Sequence, residues 1–339
     1  MTDYTRLIFT PLEASNASEE YIKEIRANDG DGMPLYIPGM EYNEGTNKGF
    51  LPVKRGELIT VLGRPGSGKT GFMFHWARQR ARDLKNQKSS KVVLYWTMEQ
   101  LVEELRLFNV AAEDNISASK MATGKMEDAE WDKAVKSLRN LYEDPLWFAG
   151  KSLKRRKDKI QLNEAALRGT LEGIEKWQGD EIKQEIDSVF VDYLQRFRSD
   201  GKDWVQYYGD LTNGLKDMAG DFATRFIVGV QARREVDAKP VQIPGMEDGQ
   251  WTSSIEQQSD GMLAVVRPSR YRKSGEDFDG TIVKGYNQMV VKTLKRKLGP
   301  EGQAHWVNFQ PEYNKLDDLE MKNFNPNKDN DNYKKVNNV

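Results

Sequence analysis

The sequence contains no cysteine and only two histidines among its 339 residues. The absence of cysteine excludes disulfides, thiolate metal sites and cysteine nucleophiles, and with two histidines a metal site would consist mostly of carboxylates. No apolar run approaches the roughly 20 residues that a membrane-spanning helix needs. The first residues also lack the basic-then-apolar order of a signal peptide. We therefore expect a soluble, cytoplasmic protein.

An excess of charge of either sign is also missing. The 51 lysines and arginines nearly balance the 52 aspartates and glutamates, which leaves a formal net charge of −1. This balance argues against a histone-like protein that binds nucleic acid through basic tails, although a few basic loops would suffice to contact phosphates. Hydrophobic residues make up 38% of the chain. The length fits one large α/β domain with extensions or two small domains.

Apolar strands alternate with helical stretches along most of the chain. Strands are predicted over residues 58–62, 91–96, 146–149, 189–192, 226–231, 262–266, 288–293 and 304–309. Helices are predicted over residues 17–27, 72–84, 101–112, 129–141, 163–177 and 208–222. This alternation is typical of a mostly parallel, twisted sheet with helices on both faces. The predicted fold class is therefore α/β.

A glycine-rich motif lies between the first predicted strand and the helix that follows it. Its residues are Gly63, Arg64, Pro65, Gly66, Ser67, Gly68, Lys69 and Thr70. Glycines let the backbone N–H groups turn inward around a β-phosphate. Lys69 can then reach the β- and γ-phosphates, and Thr70 can place its hydroxyl on Mg²⁺. The motif in this context predicts a P-loop that binds ATP and Mg²⁺, and a chance glycine-rich loop is the alternative.

Two acidic residues follow apolar strands and are candidates for chemistry on a bound nucleotide. Asp192 closes the run 189–191, the layout of a Walker B motif, and is predicted to order the Mg²⁺ shell. Glu99 follows the strand 91–96 and is a candidate base for the attacking water, because neighbouring parallel strands bring their C-terminal ends together. The alternatives are an aspartate that caps a loop and a solvated glutamate at a helix start.

These motifs and several later ones resemble, in order and spacing, the DnaB-type hexameric helicases of superfamily four. The segments that carry the resemblance are 64–70, 98–99, 123–125, Asp192-Tyr193-Leu194-Gln195, 230–232, Ser254-Ile255-Glu256-Gln257-Gln258-Ser259-Asp260 and 299–302. The resemblance implies a RecA-like ATPase domain over residues 37–320, with a C-terminal β-hairpin. Residues 1–36 would form an arm with a short linker-type helix, and residues 321–339 a polar tail predicted to be disordered.

The resemblance also implies roles for further residues. Gln231 would be the sensor that couples the γ-phosphate to the DNA loops, or else simply a polar residue at a strand end. Lys295 and Lys297 are favoured by register to reach a neighbouring subunit's γ-phosphate, with Arg296 as a substitute, and the alternative is that the three basic residues are only solvated. The family's usual arginine falls on Lys297, and lysine does not replace the planar arginine fork in an equivalent way. The residues expected to contact DNA are Arg196, Arg198, Lys202, Arg233, Arg234 and Lys239, and ordinary surface loops are the alternative.

The resemblance thus implies an ATP-dependent DNA helicase or translocase, a ring-forming replication motor that is expected to be a hexamer. Single-stranded DNA would occupy the central channel, and primase, polymerase or a loader are candidate partners. The chain has no room for the family's N-terminal primase-binding domain, so we expect a phage or plasmid replication system. Two alternatives remain open: a RecA-like recombination or strand-annealing ATPase that does not unwind, and a KaiC-like regulatory ATPase that acts on protein.

Overall fold

A computed structural model describes residues 10–27, 32–154, 160–176, 185–197, 203–249, 253–285 and 287–318. The chain divides into two compact units, Met1–Met33 and Pro34–Val339. The first contains helix α1 (Pro11–Ala27), which begins earlier than the predicted Ala17. The start is set by a capping box, in which the Thr10 backbone N–H donates to Glu13 and the Glu13 backbone N–H donates to the Thr10 hydroxyl. Pro11 then supplies a pre-formed first helical residue.

The second unit is built on a nine-stranded sheet. In chain order the strands are β1 (Leu58–Gly63), β2 (Val92–Thr97), β3 (Leu146–Gly150), β4 (Ile186–Asp192), β5 (Arg225–Gln231), β6 (Gly261–Val266), β7 (Asp277–Phe278), β8 (Thr281–Ile282), β9 (Gln288–Arg296), β10 (Ala304–Gln310) and β11 (Lys315–Asp318). The order across the sheet is β11-β10-β9-β6-β1-β5-β4-β2-β3, and β7 pairs with β8 in a small separate sheet. Strands β1 to β6 are parallel, whereas β9, β10 and β11 continue the sheet in antiparallel pairs.

The helices of this unit cover both faces of the sheet. They are α2 (Lys69–Asn86), α3 (Val102–Asp114), α4 (Ala118–Thr123), α5 (Asp128–Asn140), α6 (Glu164–Lys176), α7 (Trp204–Asp221) and α8 (Ser253–Gln258). Leu94 and Trp96 of β2 share a core cluster with residues of α6 and α7. Tyr95, between them, points to the other face, where its ring centroid lies 5.4 Å from that of Phe74 in α2. The mostly parallel sheet flanked by helices confirms the predicted α/β class.

A buried ion-pair cluster joins β4, β5 and α2 at the N-terminal edge of the parallel strands. The Asp187 carboxylate accepts hydrogen bonds from Arg80 at 2.8 and 2.6 Å and from Arg225 at 2.9 Å. All three side chains are buried. Burial on its own would raise the pKa of Asp187, but the two guanidinium groups outweigh it and hold that pKa below its usual range.

The elements that the sequence did not predict are short or polar. Strand β11 (Lys-Leu-Asp-Asp) pairs only with β10 at the edge of the sheet. Helices α4 and α8 have six residues each, and β7 and β8 two each. Such segments have too few residues to show a clear hydrophobic period. None of the described helices combines the length and the apolar character needed to span a membrane.

Candidate functional site

The P-loop lies at the C-terminal edge of the parallel strands, where it connects the buried strand β1 to helix α2. Gly66 and Gly68 have φ angles of 74° and 89°, in the left-handed region that glycine adopts most easily. A pocket of about 310 Å³ lies over the loop. It is lined by Arg64, Pro65, Gly66, Gly68, Lys69, Thr70, Glu99, Gln100, Tyr193 and Gln231. The N-terminus of α2 faces this region, which favours an anion.

Lys69 is largely buried and Asp192 is fully buried beside the P-loop. Burial lowers the pKa of Lys69 to about 8, although the carboxylates of Asp192 and Glu99 counteract the shift. Burial raises the pKa of Asp192, and the Lys69 ammonium and the Thr70 hydroxyl oppose that shift. The Lys69 Nζ atom also lies 4.3 Å from the centre of the Tyr193 ring. Lys69 in the pocket wall is therefore a desolvated cation that interacts with a desolvated acid behind the wall, an arrangement suited to binding a charged ligand.

The environment of Asp192 fits a hydrated Mg²⁺ ion. Tyr95 donates a hydrogen bond to Oδ2 at 3.2 Å, whereas the buried Oδ1 atom has no hydrogen-bond partner among the described residues. Thr70 supplies a hydroxyl nearby. Within the described ranges, no group of three histidine, aspartate or glutamate side chains is placed to hold a metal. A Mg²⁺ ion here would therefore take most of its ligands from water and from phosphate oxygens.

Glu99 lines the same pocket, just after β2. Its Oε1 atom accepts a hydrogen bond from Arg196 at 3.1 Å, and the two side chains are similarly exposed, at 45% and 44%. The Arg196 guanidinium also lies 5.6 Å from the centre of the Tyr193 ring. Arg196, predicted as a DNA contact, is thus placed beside the candidate base.

Gln195 connects the ends of β4 and β5 at this edge. Its Oε1 atom accepts a hydrogen bond from the backbone N–H of Gln231 at 3.0 Å. Its Nε2 atom is buried and has no partner in the part of the chain that the structure describes. The sequence places Gln195 in the Asp192-Tyr193-Leu194-Gln195 motif but does not indicate a role for its side chain. Its position three residues after Asp192 is the one local sign that it lies near the site.

The other predicted DNA contacts differ in their surroundings. Arg233 and Arg234 are exposed on the loop that follows β5. Lys239, on the same loop, donates hydrogen bonds to Glu247 at 2.8 Å and to Asp248. These two carboxylates compensate the Lys239 charge, which makes it a weaker candidate for a phosphate contact. Arg198 and Lys202 lie outside the described residues.

The three basic residues proposed to act on a neighbour lie at the opposite edge of the sheet from the P-loop. Strand β9 is antiparallel to β6 and pairs Arg296 with Gly261, at the start of β6. The Arg296 side chain is buried and donates hydrogen bonds to Leu51 O, Pro52 O and Glu57. The Nε and Nη2 atoms of Arg296 are thus engaged within its own chain, which disfavours Arg296 as the residue that reaches a neighbour.

Lys295 and Lys297 differ in their availability to another molecule. Lys295 donates a hydrogen bond to the Glu256 carbonyl at 2.7 Å. Lys297 has a side chain that is 65% exposed and a single long ion pair, 3.8 Å, with Asp260 in the described structure. Lys297 is therefore the most accessible of the three cations.

Comparisons with known proteins give the site its family context. The replicative DNA helicase DnaB of Geobacillus stearothermophilus is 25% identical over 306 residues, which cover 89% of this chain and 60% of that protein. The replicative DNA helicase DnaC of Bacillus subtilis matches with the same identity and coverage. The chain thus spans about 60% of the length of these curated relatives.

Solved structures and a family model also match this chain. One solved ATPase domain is similar, with a TM-score of 0.70 and 18% identity, covering 90% of this chain and 98% of that one. A DnaB-like replicative helicase, described together with its interactions with primase, gives a TM-score of 0.68 and 19% identity, covering 90% and 66%. Both likenesses confirm the predicted fold. Residues 45–318 match the DnaB-like helicase C-terminal domain, and the chain belongs to that family.

Proposed function

We propose that this chain is the motor domain of a DNA helicase, which hydrolyses ATP with Mg²⁺ and moves along single-stranded DNA. The observation that carries the proposal is the P-loop pocket, which is lined by the desolvated Lys69 and by Glu99, with Asp192 buried close to Lys69. The family supports the coupling to DNA, because the curated relatives are named as replicative DNA helicases.

The P-loop would hold the triphosphate. Gly66 and Gly68 give the backbone the path that a phosphate cradle needs, and Lys69 supplies the cation. Thr70 and the unpartnered Oδ1 atom of Asp192 would hold Mg²⁺. When bound, Mg²⁺ supplies positive charge that stabilises the transferring phosphoryl group.

Glu99 would orient and deprotonate the attacking water. It lines the pocket and is half-exposed, so its carboxylate is accessible to a water molecule. Gln231, at the end of β5, lines the same pocket and lies directly before the loop that carries Arg233 and Arg234. It would sense the γ-phosphate, and the two exposed arginines, together with Arg198 and Lys202, would track the DNA backbone.

A complete site would require a second copy of the chain. Lys297 lies at the sheet edge opposite the P-loop, so the Lys297 side chain cannot serve the phosphate pocket of its own chain. In a closed ring, here proposed to be a hexamer, the same edge of one subunit would face the P-loop of the next. We also propose that the ring acts in the cytoplasm, as part of a phage or plasmid replication system. Its proposed partners are primase, polymerase or a loader.

The first test is ATP hydrolysis with and without single-stranded DNA, followed by unwinding of a forked duplex. We expect DNA to stimulate hydrolysis and ATP to drive strand separation. A hydrolysis rate that is indifferent to DNA would contradict the motor and support a regulatory ATPase that acts on protein. Stimulation without strand separation would support a recombination or annealing ATPase.

A further inference from the structure

An ion pair between Arg64 and Asp237 joins the P-loop to the loop that follows β5. Neither residue has a role in the proposed hydrolysis. Arg64 donates from Nε and Nη2 to both carboxylate oxygens of Asp237, with distances of 2.8 to 3.2 Å. Its Nη1 atom donates to the Ala232 carbonyl at 3.1 Å. Tyr271, which follows β6, donates to Asp237 at 2.8 Å. Asp237 is therefore held from two sides, by the P-loop and by the segment after β6.

The two ends of this loop, residues 232–249, are joined by backbone contacts. The Arg233 N–H donates to the Asp248 carbonyl at 2.7 Å, and Ala232 forms a β-bridge with Gly249. Inside the loop, the Asp248 side chain accepts from Lys239 and from the Gly245 N–H. Asp237 therefore lies in a loop whose two ends are joined, and Arg272 also holds this loop by a hydrogen bond to the Pro240 carbonyl at 3.0 Å.

A bound triphosphate would compete with Asp237 for Arg64. Arg64 is part of the P-loop and lines the phosphate pocket, and its side chain is only 13% exposed. Phosphate oxygens and carboxylates are both bidentate acceptors for a guanidinium. Asp237 is 42% exposed, so its pair with Arg64 contributes little to the stability of the fold. Arg64 can therefore exchange the Asp237 carboxylate for a phosphate without a large loss of folding stability.

We propose that the Arg64–Asp237 pair reports occupancy of the phosphate pocket to the loop 232–249, so that Asp237 is a positioning residue for Arg233 and Arg234. Without nucleotide, the pair holds the loop against the P-loop. Phosphate binding draws Arg64 away and releases the loop towards its own ligand. For the identity of that ligand, single-stranded DNA, the inference rests on the proposed function.

Hydrogen exchange tests the link without DNA. The full chain is compared with Asp237→Asn and with Glu235→Gln, which makes the same change of charge two residues away on the same turn. With Mg²⁺ and a non-hydrolysable ATP analogue, we expect faster amide exchange in residues 232–249 of the wild type and of Glu235→Gln. In Asp237→Asn, the amides of residues 232–249 should exchange fast even without nucleotide, and the analogue should change their exchange little. Tyr271→Phe should also raise the nucleotide-free amide exchange of residues 232–249, by a smaller amount.

Affinity for single-stranded DNA gives the second measurement. We expect the analogue to tighten DNA binding by about 5-fold or more in the wild type and in Glu235→Gln, a typical coupling between two sites. The ratio should fall towards one in Asp237→Asn, and without DNA this variant should bind the analogue about 5-fold more tightly than the wild type, because no ion pair has to be broken.

The two measurements separate the inference from the proposed function. An unchanged exchange response in Asp237→Asn, or a wild-type loop that does not respond to nucleotide, overturns the link. If no variant binds DNA but Asp237→Asn still abolishes the exchange response, the link stands and the proposed function fails.

Discussion

The Nη2 atom of Arg196 lies 3.1 Å from Oε1 of Glu99, so the candidate base is engaged in an ion pair at the rim of the phosphate pocket. Burial on its own would lower the pKa of Arg196, but hydrogen bonding to Glu99 outweighs it and raises that pKa. If Glu99 is the base of the proposed reaction, Arg196 competes with the attacking water for its carboxylate, and a DNA phosphate would draw Arg196 away.

We expect Arg196→Ala to raise the rate of ATP hydrolysis without DNA and to reduce the further stimulation by DNA. The reason is that the Glu99 carboxylate loses its competing partner. Steady-state hydrolysis with and without single-stranded DNA measures both quantities, and Arg139→Ala on α5 is an exposed-arginine control. A DNA-free rate that falls instead would show that Arg196 supports the reaction.

Glu99→Gln should bind nucleotide with near wild-type affinity and lose turnover by about 10²–10⁴-fold, the usual contribution of a general base. The amide keeps the size of the side chain but cannot accept the proton of the attacking water. Fluorescent-nucleotide binding and single-turnover hydrolysis separate the two effects. Glu143→Gln, an exposed glutamate after α5, is the control. Normal hydrolysis by Glu99→Gln would place the base elsewhere.

Lys297→Ala should bind nucleotide but hydrolyse it slowly, because the missing cation belongs to a neighbour's site. Mixing Lys297→Ala with Glu99→Gln should restore part of the activity, since interfaces form in which an intact Glu99 faces an intact Lys297. Lys136→Ala is an exposed-lysine control. Mixtures no more active than the sum of their components would refute action in trans.

Nucleotide affinity should fall as the pH rises above about 8. Burial lowers the pKa of Lys69 to about 8 in the free protein, so the phosphate-binding cation loses its proton above that value. Phosphate favours the charged form, so binding at pH 8 to 9 should take up protons. Each pH unit beyond the pKa then weakens binding by up to about tenfold. Calorimetry in buffers of different ionisation enthalpy measures both effects, and an affinity independent of pH from 7 to about 9.5 would contradict this role of Lys69.

Asp187→Asn should lower the free energy of unfolding by about 3–5 kcal/mol, because it leaves Arg80 and Arg225 buried without a counter-ion. The pKa of Asp187 is depressed in the folded state. Its contribution is therefore present above the ordinary aspartate range and is lost as the pH falls through the depressed value. Denaturant unfolding between about pH 3 and pH 7 should show less acid sensitivity in the variant than in the wild type. Asp221→Asn, which breaks a surface pair with Arg168, should cost at most about 1 kcal/mol.

The sequence predicted the sheet well because its strands are buried on both faces. Long apolar runs such as 226–231 leave few alternatives to a central parallel strand, and the observed β5 begins one residue earlier, at Arg225. That arginine could not be assigned from local pattern, because its place in the strand depends on Asp187, a partner distant in sequence. Strand β11 was missed for a similar reason, since only its pairing with β10 marks it as a strand.

The site was predictable where a motif fixes the local backbone and less so where pairing decides the role of a side chain. The glycines around Lys69 specify the P-loop within a few residues. By contrast, a basic tripeptide does not show which side chain is buried, and only the packed structure separates Arg296 from Lys297. Likewise, nothing local to Arg64 predicts its pairing with Asp237.

The buried Arg296 also has a mechanical consequence. Its guanidinium fastens the end of β9 to Leu51, Pro52 and Glu57, and Glu57 directly precedes β1, the strand that runs into the P-loop. The end of β9 also pairs with β6, and the Lys297 N–H donates to the Asp260 carbonyl. The exposed turn that carries Lys297 is thus joined through buried contacts to the residues that lead into β1, so a displacement of this turn would strain the strand that ends at the P-loop.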